Sequence, residues 1–366
     1  MTTPRSFQEG DFNLPLAEYR DHHRLVRPDK DLWENNGWFV MGTTGDRGGP
    51  ETDVVLWVSP YLVMGRPGGP FTVRDVVVHQ TLLIAADYPP AERDLMHDNP
   101  FVSVGWDPGD FLEPDALRVE EEPDAVTWRL GAREYVAAPP VWLIRGEHAG
   151  VGLDLRCDAL APAFWFTDPA ADLLTTEDRW IYVQARATGT VRVGDRTLRI
   201  RGHGSHERHT RLGTRYDPLE LYAGAGVYWH NVCAEEYQMM AVARPSLGIA
   251  YGKVILADRV LSFEGPAAVR IDELARWPDP RSGYYLPYRW RVRMQSPDAT
   301  LEAEATAFAR AYYVWHHLTR GCTLLYFWTA RCNAELRLAD GRRVRVDDAQ
   351  YGVHSNRTFQ QRETIE

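Results

Sequence analysis

The stretch "RIRGHGSHERHTRLG", residues 199–213, sets His203, Ser205, His206, Glu207 and His209 within seven positions. Imidazoles, a carboxyl and a hydroxyl this close together admit three readings: metal ligation, proton transfer, or a solvated polar rim. Read as a strand, 201–209 sends successive side chains to opposite faces. His203, Ser205, Glu207 and His209 then share one face, and Gly202, Gly204, His206 and Arg208 the other. Two imidazoles and a carboxylate on one face resemble a metal donor set. At about 3.3 Å per residue, however, His203 and His209 lie more than about 19 Å apart, too far for one ion. No metal and no cofactor are therefore expected. The acid–base reading puts Glu207 in the mouth or interior of an aromatic-lined barrel, with a histidine two or four residues away on its own face. A carboxyl desolvated among aromatics keeps its proton to higher pH and serves as a general acid near neutrality. The two glycines let another backbone or a ligand approach closely, or mark a bulge.

The elements that must hold this stretch are legible from composition and period. At 366 residues, by a soft prior of roughly 150 residues per domain, the chain fits about two domains. Its 44% hydrophobic and 25% charged residues are those of a globular protein. A formal charge of −10 argues against nucleic-acid or anionic-membrane partners, which need a basic footprint. The first twenty residues lack a signal-peptide core and no apolar run of about 18 follows, so a soluble, cytoplasmic protein without a membrane-spanning segment is expected. Cys157, Cys233, Cys322 and Cys332 form no C-x-x-C pair, so buried free thiols are expected. The 13 tryptophans, 17 tyrosines and 12 phenylalanines suit thick β cores, or a pocket for a flat, apolar or cationic ligand.

Nearly every readable segment has period 2. The runs at 53–65, 74–88, 116–131 and 134–146 are β-branched or aromatic and separated by Gly, Pro and Asp, which argues for an all-β antiparallel sandwich or barrel. Helices are expected at 88–100 and over "IDELARW" (271–277). Asp340-Gly341 and "VGDRT" (193–197) signal hairpin turns. There is also an internal echo. Trp180 to Gly204 and Trp328 to Gly352 are both 24 positions apart, each across a hairpin, and His206 and His354 follow. Duplication of one β-barrel unit is the reading, with a boundary near 210–218. On this alignment Glu207 faces Ser355 and has no counterpart, which favours it as functional, while His206 belongs to the scaffold. Glu34, in "WENNGWF", reads as a turn-bonding residue.

At these residues the chain resembles the tandem-lipocalin family of carotenoid 1,2-hydratase, which also includes AttH-like proteins, kievitone hydratase and several natural-product Diels–Alderases. The family motif, approximately G-x-G-Y-H-D-H-x-x-G after a hairpin beginning at a tryptophan, is met here by "GHGSHERHTRLG" after "WIYVQARATGTVRVGDRTLRIR". "HHRLVRPDKDLWENNGWFVMG" (22–42) looks like the family's opening strand. The resemblance implies two tandem lipocalin-like barrels with a few short helices, an N-terminal domain over 1–210 and a C-terminal one over 211–366. It carries the catalytic aspartate, tyrosine and tryptophan onto Glu207, Ser205 and Trp180. Serine for tyrosine loses a phenolic donor, and the motif's second histidine is Arg208 here.

The function expected is that of a lyase or cyclase, acting on an apolar unsaturated terpenoid or polyene. Glu207 protonates the substrate, Trp180 shields the cation, and Ser205 assists. His203, His209, Tyr228, Trp229 and His230 bind the substrate. A cofactor-free pericyclase of natural-product biosynthesis and a non-catalytic carrier of an apolar ligand are the alternatives. The sequence carries no signal for oligomeric state.

Overall fold

The computed structural model describes residues 14, 16–19, 32–44, 53–65, 76–88, 110–165, 178–212, 227–234, 236–244, 248–279, 285–316 and 322–359. Two antiparallel sheets account for nearly all of them. The first comprises β1 (Leu32–Thr43), β2 (Asp53–Gly65), β3 (Val76–Tyr88), β4 (Asp110–Leu112), β5 (Leu117–Glu121), β6 (Val126–Leu130), β7 (Arg133–Ala138), β8 (Val141–His148), β9 (Val151–Ala159), β10 (Phe164–Trp165), β11 (Asp178–Val193) and β12 (Arg196–Leu212). The second comprises β13 (Val227–Cys233), β14 (Gln238–Arg244), β15 (Ile249–Ile255), β16 (Val260–Glu264), β17 (Val269–Pro278), β18 (Tyr285–Gln295), β19 (Ala299–His316), β20 (Cys322–Leu338) and β21 (Arg343–Phe359). Short 3₁₀ turns occupy Leu16–Tyr19 and Pro114–Ala116.

The two sheets repeat one topology. The first runs β4-β3-β2-β1-β12-β11-β9-β8-β7-β6-β5, with β10 on β11; the second runs β16-β15-β14-β13-β21-β20-β19-β18-β17. In each, the first strand pairs with the last, and the two edge strands are consecutive in the chain. Each sheet curls around its own core, as expected of lipocalin-like barrels. The first core gathers Trp38, Trp128, Tyr135, Trp142, Ile144, Leu155 and Val183; the second gathers Met239, Trp277, Trp290, Leu301, Trp328 and Leu336. Alternation along each strand produces this: β7 buries Arg133, Tyr135 and Ala137 and leaves the intervening residues half-exposed.

Both expected turns form. Val193 pairs with Arg196 around Gly194, whose φ is +56°, and Gly341 closes the β20–β21 hairpin at φ +88°. The helix expected over 271–277 is instead part of β17, paired with β18 through a bulge between Glu273 and Ala275. Sheet pairing there overrides a weak helical pattern. The other expected helix, 88–100, lies outside the described residues beyond Tyr88, which ends β3.

The glycines of the opening stretch serve the crossing of β1 and β12. A Cβ on Gly202 would stand 1.9 Å from the Met41 carbonyl oxygen, and one on Gly204 would stand 2.5 Å from that of Phe39. Of the two roles open to them, approach of another backbone is the one realised. Gly202→Ala is expected to destabilise the protein by about 1–3 kcal/mol, the usual cost of overpacking. An unchanged melting temperature would show that the two strands separate at no cost.

Candidate active site

Register with β1 and β11 decides which way each residue of β12 points. His206 lies opposite Trp38 and Val183, and Glu207 opposite Gly37 and Tyr182. The even residues of β12 enter the first core and the odd ones leave it. This corrects the expectation that Glu207 lies in a barrel mouth or interior. The residue is 7% exposed, but it sits on the outer face of the first sheet, where the second packs against it.

On that outer face, Asn35 Nδ2 donates to Glu207 Oε1 at 2.9 Å. Tyr182 Oη lies 2.7 Å from Ser205 Oγ and 3.0 Å from Asn231 Oδ1, the latter on β13 of the second sheet. Trp180 stacks on His209 with centroids 4.8 Å apart and planes 18° apart. Trp229 of β13 covers both Trp180 at 5.2 Å and Tyr182 at 5.8 Å. Tyr182, Trp229, Met240 and Val242 form a small buried cluster bridging the sheets, with Phe164 and Trp180 against it. The Lys253 ammonium lies 4.3 Å from the Phe164 ring centroid, and burial draws its pKa below the usual lysine range. A carboxyl, a phenol, a hydroxyl and three large aromatic faces thus meet at one inter-barrel surface.

Of the residues expected to act, Glu207, Ser205, Trp180, His209 and Trp229 come together there. His203 shares their face but lies four residues along β12 from Glu207, or about 13 Å at strand rise. Its pKa is lowered to about 4 by burial and by Arg186. His230 does not belong to this surface. It points into the second barrel, with Nδ1 2.6 Å from Tyr351 Oη and its ring edge-on to Trp290. Tyr228 lies on β13, between Ala243 and Ser355, but its side chain is outside the described ones. The sequence reading missed Asn35, Tyr182 and Asn231. Parity carried the signal for two of them: Asn35 shares the outward phase of β1, and Tyr182 lies two residues from Trp180 on the same face.

The interior face of the same strand is also polar. Arg208 Nη2 pairs with Glu34 Oε1 at 2.6 Å, while its Nη1 donates to Asn36 Oδ1 and its Nε to the Glu18 carbonyl. The guanidinium lies 5.1 Å from the Tyr19 ring centroid and 5.6 Å from that of Trp128. His206 is stacked between Tyr19 and Trp38, its Nδ1–H directed at the Gly37 carbonyl. Glu34 is therefore the counter-ion of a buried arginine and not a turn residue.

These buried histidines make the fold sensitive to acid. Burial holds His206 and His230 down to about 3, and burial with the His148 and Arg133 charges holds His79 at about 2. The ordinary histidine value is about 6.5, so between about pH 6.5 and 3 the unfolded chain binds protons that the native one refuses. Stability then falls as pH falls through that window. Melting temperatures from pH 7 to 4 should show this decline. His206→Gln should make it shallower, and an unaltered slope would remove His206 from the account.

Comparison with known proteins bears on the fold. No protein-family model matches the chain, and no curated protein matches it in sequence. Among solved structures it is similar to an AttH-assigned protein of Nitrosomonas europaea, at 12% identity and TM-score 0.53 over 96% of this chain and 98% of that one. CghA with Sch210972 gives 12% identity and TM-score 0.54 over 90% and 89%. Kievitone hydratase from Nectria haematococca gives 10% and 0.43 over 98% and 97%. The fold is the AttH-type tandem barrel. The phenol that the sequence resemblance finds missing at Ser205 has a neighbour in Tyr182 on the adjacent strand, whose hydroxyl meets Ser205 Oγ directly.

Proposed function

We propose that the chain is a lyase or cyclase acting on an apolar unsaturated small molecule at the inter-barrel surface. The observation that carries this reading is the buried Glu207, opposite Tyr182 on the face that holds the Tyr182–Ser205 hydroxyl pair and the packed rings of Trp180 and Trp229. Glu207 in its acid form gives its proton to an alkene carbon, and the π pair becomes the new C–H bond. The cation left on the neighbouring carbon lies against the aromatic rings, each contact contributing roughly 0.5–2 kcal/mol. Water then adds and returns a proton to the Glu207 carboxylate, or a neighbouring C–H proton leaves to it, or a second alkene attacks the cation to close a ring and the new cation ends in one of those same two ways. Asn35 fixes the carboxyl by its amide, and the Ser205–Tyr182–Asn231 chain orients the water or the substrate's polar group. General acid catalysis of this kind supplies about 10²–10⁴-fold; holding the substrate folded supplies the rest.

Tyr182→Phe separates orientation from packing, because the ring stays and only the hydroxyl goes. Turnover is expected to fall by about 10-fold, in line with loss of a net hydrogen bond of about 1 kcal/mol or somewhat more, with little change in melting temperature. Full activity in this variant would remove the phenol from the mechanism. A cofactor-free pericyclisation is the second reading, supported by the apolar share of the surface: Trp229, Met240 and Val242 offer apolar contact that needs no proton.

A further inference from the structure

Arg133 is inside the first barrel, and no described carboxylate is in contact with it. It follows Ala132 at the β6–β7 turn and points inward with Tyr135 and Ala137, 1% exposed. One nitrogen, Nη2, donates to the Val151 carbonyl at 2.8 Å, whereas Nε and Nη1 meet no acceptor among the described residues. Glu147 exerts a through-space attraction, but its carboxylate is 48% exposed and is bound at the surface by Arg192. Buried charges are ordinarily paired, because an isolated ion loses its hydration with nothing to replace it. Arg208, also buried in this barrel, has its glutamate; Arg133 has none among the described residues.

Its surroundings extend the donor surface. Tyr135 Oη lies 2.8 Å from His79 Nε2, and the His79 ring stacks on His148 at 3.6 Å. His148 Nδ1 lies 2.9 Å from Thr81 Oγ1. Beyond Tyr135 the wall is aromatic, since Trp38 stacks on that ring at 4.8 Å. Half-buried His148 and the exposed turn at Ala149 and Gly150 place the cluster near one end of the barrel.

We infer that the first barrel holds an anion site at Arg133, separate from the Glu207 surface, which takes the carboxylate of a small organic acid with its apolar body against the Tyr135 ring. A guanidinium with free N–H groups matches carboxylate geometry, and an aromatic ring matches a hydrocarbon body. Bound carboxylate supplies the charge that the fold omits.

The test is thermal unfolding of the full chain with sodium benzoate, sodium decanoate, sodium chloride and benzyl alcohol as probes. Either carboxylate is expected to raise the melting temperature saturably, by on the order of 5 °C at a hundred-fold excess over its Kd, while chloride and the alcohol have no such effect. Arg133→Met should lose the response and, without ligand, melt no lower than the parent. Arg133→Lys, which keeps the charge, should retain a weakened response and guards against a Met variant that fails to fold. Equal stabilisation by chloride would overturn the carboxylate assignment. No response in the parent, with a lower melting temperature for Arg133→Met, would make Arg133 a purely structural group. Neither result touches the Glu207 mechanism, whose own test is turnover.

Discussion

Glu207→Gln lowers turnover by about 10²–10⁴-fold, the usual worth of a positioned general acid, on any polyene or terpenoid that the parent protein converts. Ligand binding, read by quenching of the tryptophans that line the site, stays within a few-fold. The two results must be taken together. Glutamine keeps the shape and still accepts the Asn35 amide hydrogen bond through its carbonyl oxygen, so a loss of rate without loss of affinity isolates the proton. Undiminished turnover in this variant would sink the acid mechanism and leave the preorganised pericyclic reading, in which the pocket does its work through shape. Firm binding without turnover of any substrate by the parent protein would leave only a carrier.

The second large effect is expected from the buried pair inside the first barrel. Arg208→Met strands the Glu34 carboxylate at 0% exposure and withdraws donors from Asn36 and the Glu18 carbonyl. Removing one partner of a buried ion pair costs about 3–5 kcal/mol, whereas replacing both with apolar groups is often neutral. The single substitution should therefore depress stability strongly in urea or heat, and Glu34→Leu combined with Arg208→Met should restore most of it. Equal losses for the single and double variants would mean that the guanidinium acts through its stacking on Tyr19 and Trp128 and not through its charge. Activity measured on the restored double variant then tests whether this network also fixes β12 beneath Glu207.

The all-β class, the hairpin turns and the alternation of β12 were legible because each depends on local pattern. Strand parity correctly separated His203, Ser205, Glu207 and His209 from His206 and Arg208. Which of the two faces was inside was not legible, since that depends on the partners of β12, and its neighbours Trp38 and Tyr182 are distant in sequence. The internal echo misled for a similar reason. Trp180 lies opposite His209, three residues past His206, while Trp328 lies opposite Val353, one short of His354. Trp180 points out to the second sheet, and Trp328 points into its own core. Trp328 stands four residues nearer its hairpin turn than Trp180 does, and the three extra turn residues and the one at the bulge beside Asp348, whose φ is +55°, offset only half of the eight residues this removes. Equal spacing thus hides unequal register, and Ser355 is not the structural counterpart of Glu207. What repeats is the order of strands.

That order has a kinetic consequence. Because each sheet joins its first strand to its last, Asn35 and Glu207 meet across 172 residues of chain. During synthesis β1 leaves the ribosome long before β12 and must wait with an unpaired side, an edge able to join another chain. Closing so long a loop is entropically late compared with forming the intervening hairpins. Asn231, on β13, arrives later still. Catalytic competence should therefore be the last property recovered on refolding, lagging behind the return of the β-sheet circular dichroism signal.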